Sequence, residues 1–297
     1  MSGVVIVGVD GSAPATAAVE WAAGDALRKD AELRIVHALD RYPYAIAGVA
    51  VAGPEDVLSR AAEQVLEAAE AVARSRQPTV RVASEVVEGA PAVVLQEQAR
   101  QADELVIGDR GLGGFTRALL GSVTMKVAGQ APCPVVVVRD GPRERIGEIA
   151  VGIDDSDSCE PALAYAFEQA GLRGATLRLI HAWQVPVHAF APEIFFDADE
   201  IHTTLHEMLR RRIAPWEARH PGVKLVEDVQ NAHPVDALTG TACDLVVVGS
   251  HGRGALGSLL LGSVSRGVLH HARGPVAVVR GDARRHADEQ GAGVTVA

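Results

Sequence analysis

A glycine spacing occurs twice in this chain, as Gly108, Gly111 and Gly121-Ser122 and again as Gly249, Gly252 and Gly262-Ser263. Both copies read G-x2-G-x9-G-S, and both follow an apolar run, Leu105-Val106-Ile107 or Leu245-Val246-Val247-Val248. A buried strand, a turn of small residues and a helix opening at Gly-Ser make one structural unit, so the unit is present twice. A helix start of this kind leaves backbone N–H groups without a partner inside the helix, and such groups attract phosphate. The spacing therefore predicts two phosphate-binding places.

The rest of the chain repeats with it. Val4-Val5-Ile6-Val7-Gly8-Val9-Asp10 is matched 144 residues later by Ile149-Ala150-Val151-Gly152-Ile153-Asp154, each a short strand ending at an aspartate and followed by an Ala-rich helix, Pro14 to Leu27 or Pro161 to Gly171. Leu33-Arg34-Ile35-Val36-His37-Ala38 lies opposite Leu177-Arg178-Leu179-Ile180-His181-Ala182. Each half then has an apolar loop (Tyr42 to Pro54, Trp183 to Phe196), an amphipathic helix (Glu55 to Arg74, Asp199 to Ala218) and a third strand (Val80 to Val87, Lys224 to Val229). A helix opens near Pro91 or Pro234, and the last strands are Val135 to Val138 and Val276 to Val279. Seventeen positions separate Pro91 from Gly108 but only fifteen separate Pro234 from Gly249, so the second copy is shorter there by about half a helical turn. The alternation predicts an α/β protein with two tandem doubly wound five-stranded parallel sheets. The expected boundaries are 1–140 and 147–282, with a linker between them and a disordered polar tail at 283–297.

Composition supports this class and excludes others. Apolar residues make up 48% of the chain and aromatics only 4%, which suits Val-rich parallel strands buried on both faces. A formal charge of -10 argues against a sequence-independent grip on nucleic acid. Cys133, Cys159 and Cys243 are odd in number and far apart, which suggests neither a disulfide framework nor a zinc knuckle. No apolar run is long enough for a membrane span and the N-terminus has no basic leader, so a cytoplasmic protein without a membrane partner is expected.

Several residues carry candidate chemistry. Asp10 and Asp154 end the first strands, where open α/β sheets hold ligands; they are read as contacts to nucleotide or to a bound Mg2+, with a plain helix N-cap as the alternative. His37 and His181 end the second strands, and a main-chain group reading an adenine edge competes there with a catalytic histidine. Ser122 and Ser263 are expected to cap the following helices and donate to phosphate, joined by Thr124 and Ser265. His202 and His206 have metal-like i, i+4 spacing, but Thr203 stands where a zinc protease helix carries its glutamate, so a solvated helix face is the better reading. Gly252-Arg253-Gly254-Ala255-Leu256-Gly257 matches a dinucleotide fingerprint only weakly, because it falls late in its half and Thr116 breaks it in the other copy. The chain contains neither a P-loop nor a G-x-S-x-G elbow.

With these residues together, the chain resembles the tandem, ATP-binding members of the universal stress protein family, over Val4 to Arg139 and Ile149 to Arg280. The V-G-[VI]-D openings, the glycine spacing and the endings Ala131-Pro132-Cys133-Pro134-Val135 and Ala272-Arg273-Gly274-Pro275-Val276 carry the resemblance. It implies a Rossmann-like, adenine nucleotide alpha hydrolase-like fold in each half. It places adenosine against Asp10, His37 and Ala38 in one half and Asp154, His181 and Ala182 in the other, with Gly8 and Gly152 counted among the nucleotide-binding residues. Ribose and phosphates fall to Gly108, Gly111, Gly113, Gly121, Ser122, Val123 and Thr124, and to Gly249, Gly252, Gly254, Gly262, Ser263, Val264 and Ser265. The ligand implied is ATP, ADP or AMP, with Mg2+ where phosphates recruit it. The resemblance also implies that the last strands of the two halves pair antiparallel. A homodimer of whole chains would then use another surface, such as the loop with Phe190, Phe195 and Phe196.

Two departures from the family pattern stand out. Asp109 puts a carboxylate beside the first phosphate site, a cost unless Arg110 or Mg2+ offsets it, and Asp155 replaces the glycine found as Gly11 in the first half. The expected function is that of an ATP-binding regulator whose nucleotide tunes recognition of a protein partner. The alternatives are a slow ATPase, or a stress chaperone or scaffold with degenerate sites.

Overall fold

The computed structural model describes residues 3–43, 57–113, 120–141, 144–184, 197–252 and 261–281. The first half runs β1 (Val4–Val9), α1 (Ala13–Arg28), β2 (Glu32–Leu39), α2 (Val57–Arg76), β3 (Arg81–Glu88), α3 (Pro91–Gln98), β4 (Glu104–Gly108), α4 (Ser122–Gln130) and β5 (Val135–Val138). The second runs β6 (Glu148–Gly152), α5 (Glu160–Arg173), β7 (Thr176–Trp183), α6 (Ala198–Arg219), β8 (Leu225–Asn231), α7 (Pro234–Gly240), β9 (Leu245–Gly249), α8 (Ser263–His271) and β10 (Val276–Val279). A 3-10 turn, Ala99–Gln101, extends α3; the second copy, two residues shorter here, goes from α7 to β9 without one. The aromatic loop, Gly254 and the tail lie outside the described residues.

Strand pairing within each half is parallel, in the order β3-β2-β1-β4-β5 and its repeat β8-β7-β6-β9-β10. The order reverses between β1 and β4 and between β6 and β9, so a crevice opens at the carboxyl ends of each pair. The two sheets join. β5 and β10 run antiparallel, with Val137 opposite Val276, Val136 opposite Ala277 and Val135 opposite Val278, and ten strands form one sheet. Val136 and Ala277 hold equivalent places in the two copies, so a local twofold axis passes between them.

Alternation along the strands divides the apolar residues between two layers. Val5, Val7 and Val9 face the helices α1, α2, α5 and α6, whereas Ile6, Leu105 and Ile107 face α3, α4, α7 and α8. Central strands are buried on both faces, every residue of β4, β5 and β10 included, and this is why their sequences are unbroken apolar runs. Edge strand β3 is half-exposed and carries Arg81, Glu85 and Glu88, which discourages pairing with another chain.

Beside the axis, on the α1/α5 layer, the halves exchange charges in the interior. Asp25 and Glu104 are buried, and Arg173 of the second half donates to both Asp25 oxygens at 2.6 and 2.8 Å. Glu104 Oε2 receives Lys29 Nζ at 3.0 Å, the Tyr165 hydroxyl at 3.0 Å and Gln169 Nε2 at 3.3 Å. Arg28 adds a second guanidinium to Asp25 at 2.5 Å, and Arg173 stacks on Trp21 with its carbon 4.4 Å from the ring centre. Burial, and then the neighbouring Glu104 carboxyl, push the Asp25 pKa up to about 7.

On the opposite layer the arginine that follows each last strand crosses the axis. Arg139 donates to the Leu269 carbonyl near the end of α8, and Arg280 donates to the Gly129 carbonyl near the end of α4 at 2.8 Å. Each helix end thus receives a cation from the other half, where the helix dipole is negative.

Two predictions arise from these contacts. Asp25 keeps its proton in the folded chain over a pH range where the unfolded chain, with a value near 3.8, has lost it. Its contribution to stability therefore declines as pH rises from about 4 to about 7. Urea titrations across that range are expected to show a flatter stability profile for Asp25→Asn than for the parent. Asp30 ends α1 at a φ of 48°, the left-handed conformation that Gly174 adopts at the equivalent place with a φ of 60°. Asp30→Gly should stabilise the protein by about 0.5–1 kcal/mol in the same titrations.

Candidate functional site

At the end of β1, Gly11 takes a φ of 84° and turns the chain into α1, whose N-cap is Ser12, its hydroxyl accepting from the Ala15 N–H at 3.3 Å. Asp10 is therefore not the cap of α1. Its Oδ1 accepts from the Ser12 N–H at 3.0 Å and its Oδ2 from the Leu112 N–H at 3.0 Å, so the carboxylate fastens the glycine loop onto the strand end. In the second half Asp154 Oδ1 accepts from the Ser156 N–H at 3.0 Å and from its hydroxyl at 2.6 Å. There Asp155 replaces Gly11, and a 3-10 turn, Asp157–Cys159, substitutes for the first turn of the helix.

The glycines of the motif are required by close approaches. A Cβ at Gly111 would collide with Asp10 Oδ2, and one at Gly252 would lie 2.6 Å from Asp154 Oδ2. A Cβ at Gly108 would stand 2.9 Å from the Pro14 carbonyl carbon, because β4 ends directly against the start of α1. Gly8 and Gly152 are packed beneath Leu95 and Leu238, at 2.9 and 3.0 Å. Gly113 is exposed, with nothing among the described residues near the position of a Cβ.

The helix starts differ from the sequence expectation in one respect. Gly121 and Gly262 occupy the N-cap positions, and Ser122 and Ser263 are the first helical residues, exposed and without a side-chain cap bond. Glycine fits the extended cap because the backbone carries the fastening: the Gly121 N–H donates to the Asp109 carbonyl at 2.9 Å, and the Gly262 N–H to the Ser250 carbonyl at 2.8 Å. The N–H groups of the first helical turn, through Ser122 and Val123 or Ser263 and Val264, then remain available to an anion. Thr124 and Ser265 are buried and donate to the strand-end carbonyls of Gly108 at 2.9 Å and Gly249 at 2.5 Å. Those hydroxyls hold the helix to the strand.

His37 and His181 play matching parts. Nδ1–H of His37 donates to the Val9 carbonyl at 2.9 Å, and that of His181 to the Ile153 carbonyl at 3.1 Å, which ties the second strand to the end of the first. Asp109 is buried, with one oxygen receiving Arg110 and Arg139, both at 3.2 Å, and the other without a partner among the described residues. The burden expected from this carboxylate is thus carried by two guanidiniums. Its counterpart Ser250 is buried and uncharged.

In the second half these groups surround a cavity of about 690 Å³, a size suited to a small organic ligand. Gly152, Asp154, His181 and Ala182 line one side, and Gly249, Gly252 and the start of α8 from Gly262 to Ser265 line the other. The remaining wall is apolar: Ile201 and Leu205 from α6, Pro234 and Leu238 around α7, and Trp183. Sequence reading missed this wall; its signal was the apolar stripe of α6, which resembles any core-facing stripe. Among the described lining residues none is Lys or Arg, and the start of α8 presents its backbone dipole to the cavity.

His202 and His206 are neighbours on α6 with ring centres 4.7 Å apart and planes tilted by 58°, and His206 Nδ1 lies 3.2 Å from Glu227. Among the described residues no group of three or more His, Cys, Asp or Glu side chains is placed to hold a metal. The three cysteines are free thiols. Burial pushes Cys133 up to about 12 and Cys159 and Cys243 to about 11. Among the described residues no helix is long and apolar enough to cross a membrane.

Comparison with known proteins agrees with this fold. A family model described as "Universal stress protein family" matches residues 1–139 and 146–280. A universal stress protein of Mycobacterium tuberculosis is 37% identical over 294 residues, covering 93% of this chain and 96% of its own. One of Mycolicibacterium smegmatis is 35% identical over 287 residues, with the same coverage of both chains. The crystal structure of a universal stress protein from Archaeoglobus fulgidus shares the fold, with a TM-score of 0.68 at 19% identity, covering 96% of this chain and 98% of that one.

Ser265→Ala tests whether that hydroxyl is structural. A loss of about 1 kcal/mol in urea unfolding is expected, with ligand affinity changed less than threefold.

Proposed function

Because the chain belongs to the universal stress protein family, we propose that it is a cytoplasmic regulator that binds adenine nucleotide in each half and lets the bound nucleotide tune recognition of a protein partner. The observation that carries this reading is the second-half cavity, which gathers ten of the eleven residues expected there: every one except Gly254, which is outside the described residues. Adenosine fits the apolar wall beside His181 and Ala182, and the phosphates fit the first turn of α8. The first half has the same strand ends, the same aspartate and the same helix start, with the Asp109 carboxylate already paired. Asp10 and Asp154 each offer at most one carboxylate to Mg2+, so a cation would arrive held mainly by phosphate oxygens and water.

Nucleotide binding serves regulation here rather than turnover. Each strand-end histidine commits Nδ1 to a main-chain carbonyl, and each strand-end aspartate accepts from main-chain N–H groups of its own turn. These groups fasten the turns at the strand ends, and any hydrolysis would be slow. Nucleotide acts by ordering the glycine loops and thereby changing the surface offered to a partner. Since β5 and β10 are consumed within the chain, a homodimer would form through another surface.

Native mass spectrometry of gently purified protein tests the reading and gives oligomeric state with it. Two adenine nucleotides per chain are expected at saturation, with Gly111→Ala and Gly252→Ala each removing one. Two nucleotides retained by the double variant, or none bound by the parent, would reject the assignment.

A further inference from the structure

Resting on the nucleotide reading of both halves, we propose that Arg139 couples the two sites, so that nucleotide in the first half lowers affinity in the second. Arg139 follows β5, and its one guanidinium serves acceptors in both halves: Nη1 donates to Asp109 Oδ2 at 3.2 Å, and Nη2 donates to the Leu269 carbonyl. Asp109 stands at the base of the first glycine loop. Leu269 belongs to the last turn of α8, the helix whose first turn lines the second-half cavity. The equivalent connection in the other direction is incomplete. Arg280 donates to the Gly129 carbonyl of α4 at 2.8 Å, but the residue at the base of the second loop is Ser250, which carries no charge. Charge therefore links the first loop to the second helix, and does not link the second loop to the first helix.

Asp109 Oδ2 also receives Arg110 Nε at 3.2 Å, while Oδ1 has no partner among the described residues. Two guanidiniums thus balance a buried carboxylate, and removing either leaves it short of compensation. Arg110 belongs to the loop itself, between Gly108 and Gly111, and its side chain is partly exposed. A phosphate bound at that loop competes with Asp109 for Arg110. As Arg110 turns to the phosphate, the buried carboxylate draws Arg139 toward itself and away from the Leu269 carbonyl. α8 then loses the cation at its negative end, and this nine-residue helix holds an anion at its first turn less firmly. The two states are Arg139 shared between the halves and Arg139 given to Asp109. Linkage makes the effect reciprocal, so nucleotide in the second half weakens the first site by the same factor.

Calorimetric titration of the full chain with ATP measures the coupling. Gly252→Ala reports the first site alone and Gly111→Ala the second site alone. The product of those two association constants is compared with the product of the two stepwise constants of the parent, and the parent product is expected to be about fivefold smaller. The same comparison is made on Arg139→Gln and on Asp109→Ser, which gives the first loop the residue that the second copy carries. Both are expected to bring the two products within twofold of each other. Arg280→Gln, which removes the other crossing cation, is expected to retain the fivefold difference, so a merely structural loss at a helix end is told apart from coupling. Thermal unfolding reports whether each variant is folded. Products that agree within twofold in the parent, a parent product that is the larger, or a fivefold deficit persisting in either folded variant would overturn the role of Arg139 while leaving nucleotide binding intact. No ATP binding by the parent would overturn the nucleotide reading itself, and this inference with it.

Discussion

Everything in this molecule is arranged about the antiparallel contact of β5 with β10. A parallel α/β unit of this order ends in a short apolar strand with one side unpaired, and four consecutive valines on an open edge would invite aggregation. Pairing the two edges removes that hazard and sets the relation of the halves by main-chain hydrogen bonds. The geometry then places α1 beside α5 on one face of the sheet. On the other face it puts the ends of α4 and α8 within reach of the opposite half's arginine.

The crossing arginines connect features that are otherwise distant. α4 and α8 begin at the glycine-loop sites and end near the twofold axis, so each is held at one end by its own strand and at the other by the opposite half. In the first half the connection continues, because Arg139 also meets Asp109 at the base of the loop. Ser250 takes that place in the second half, and there the loop is tied by backbone and hydroxyl groups instead.

Much of this was legible in the sequence, and the remainder was hidden for identifiable reasons. Strands buried on both faces announce themselves as apolar runs, the repeat gives their order, and the glycine spacing marks the turns where the backbone must come close. The cap was misassigned to Ser122 and Ser263 because serine is a good cap residue in isolation; the backbone bonds of Gly121 and Gly262 to the preceding loop decide otherwise. The role of Asp10 in holding Leu112 depends on a loop returning after 102 residues, which no local pattern records. Asp25, Lys29 and Arg173 carry no local mark of burial, and only the docking of α1 against α5 makes them interior.

Trp21, Asp25 and Lys29 correspond in the repeat to Tyr165, Gln169 and Arg173. Were two identical chains to meet about this axis, every change at such a position would be made twice, and a buried aspartate would confront its own copy. Covalent fusion lifts that rule. One member of each pair can mutate while the other stays, so an acidic side chain can be set against an amide and a lysine against an arginine. The interface has diverged into a lock with two different sides, and a half exchanged for a second copy of the other would no longer fit it.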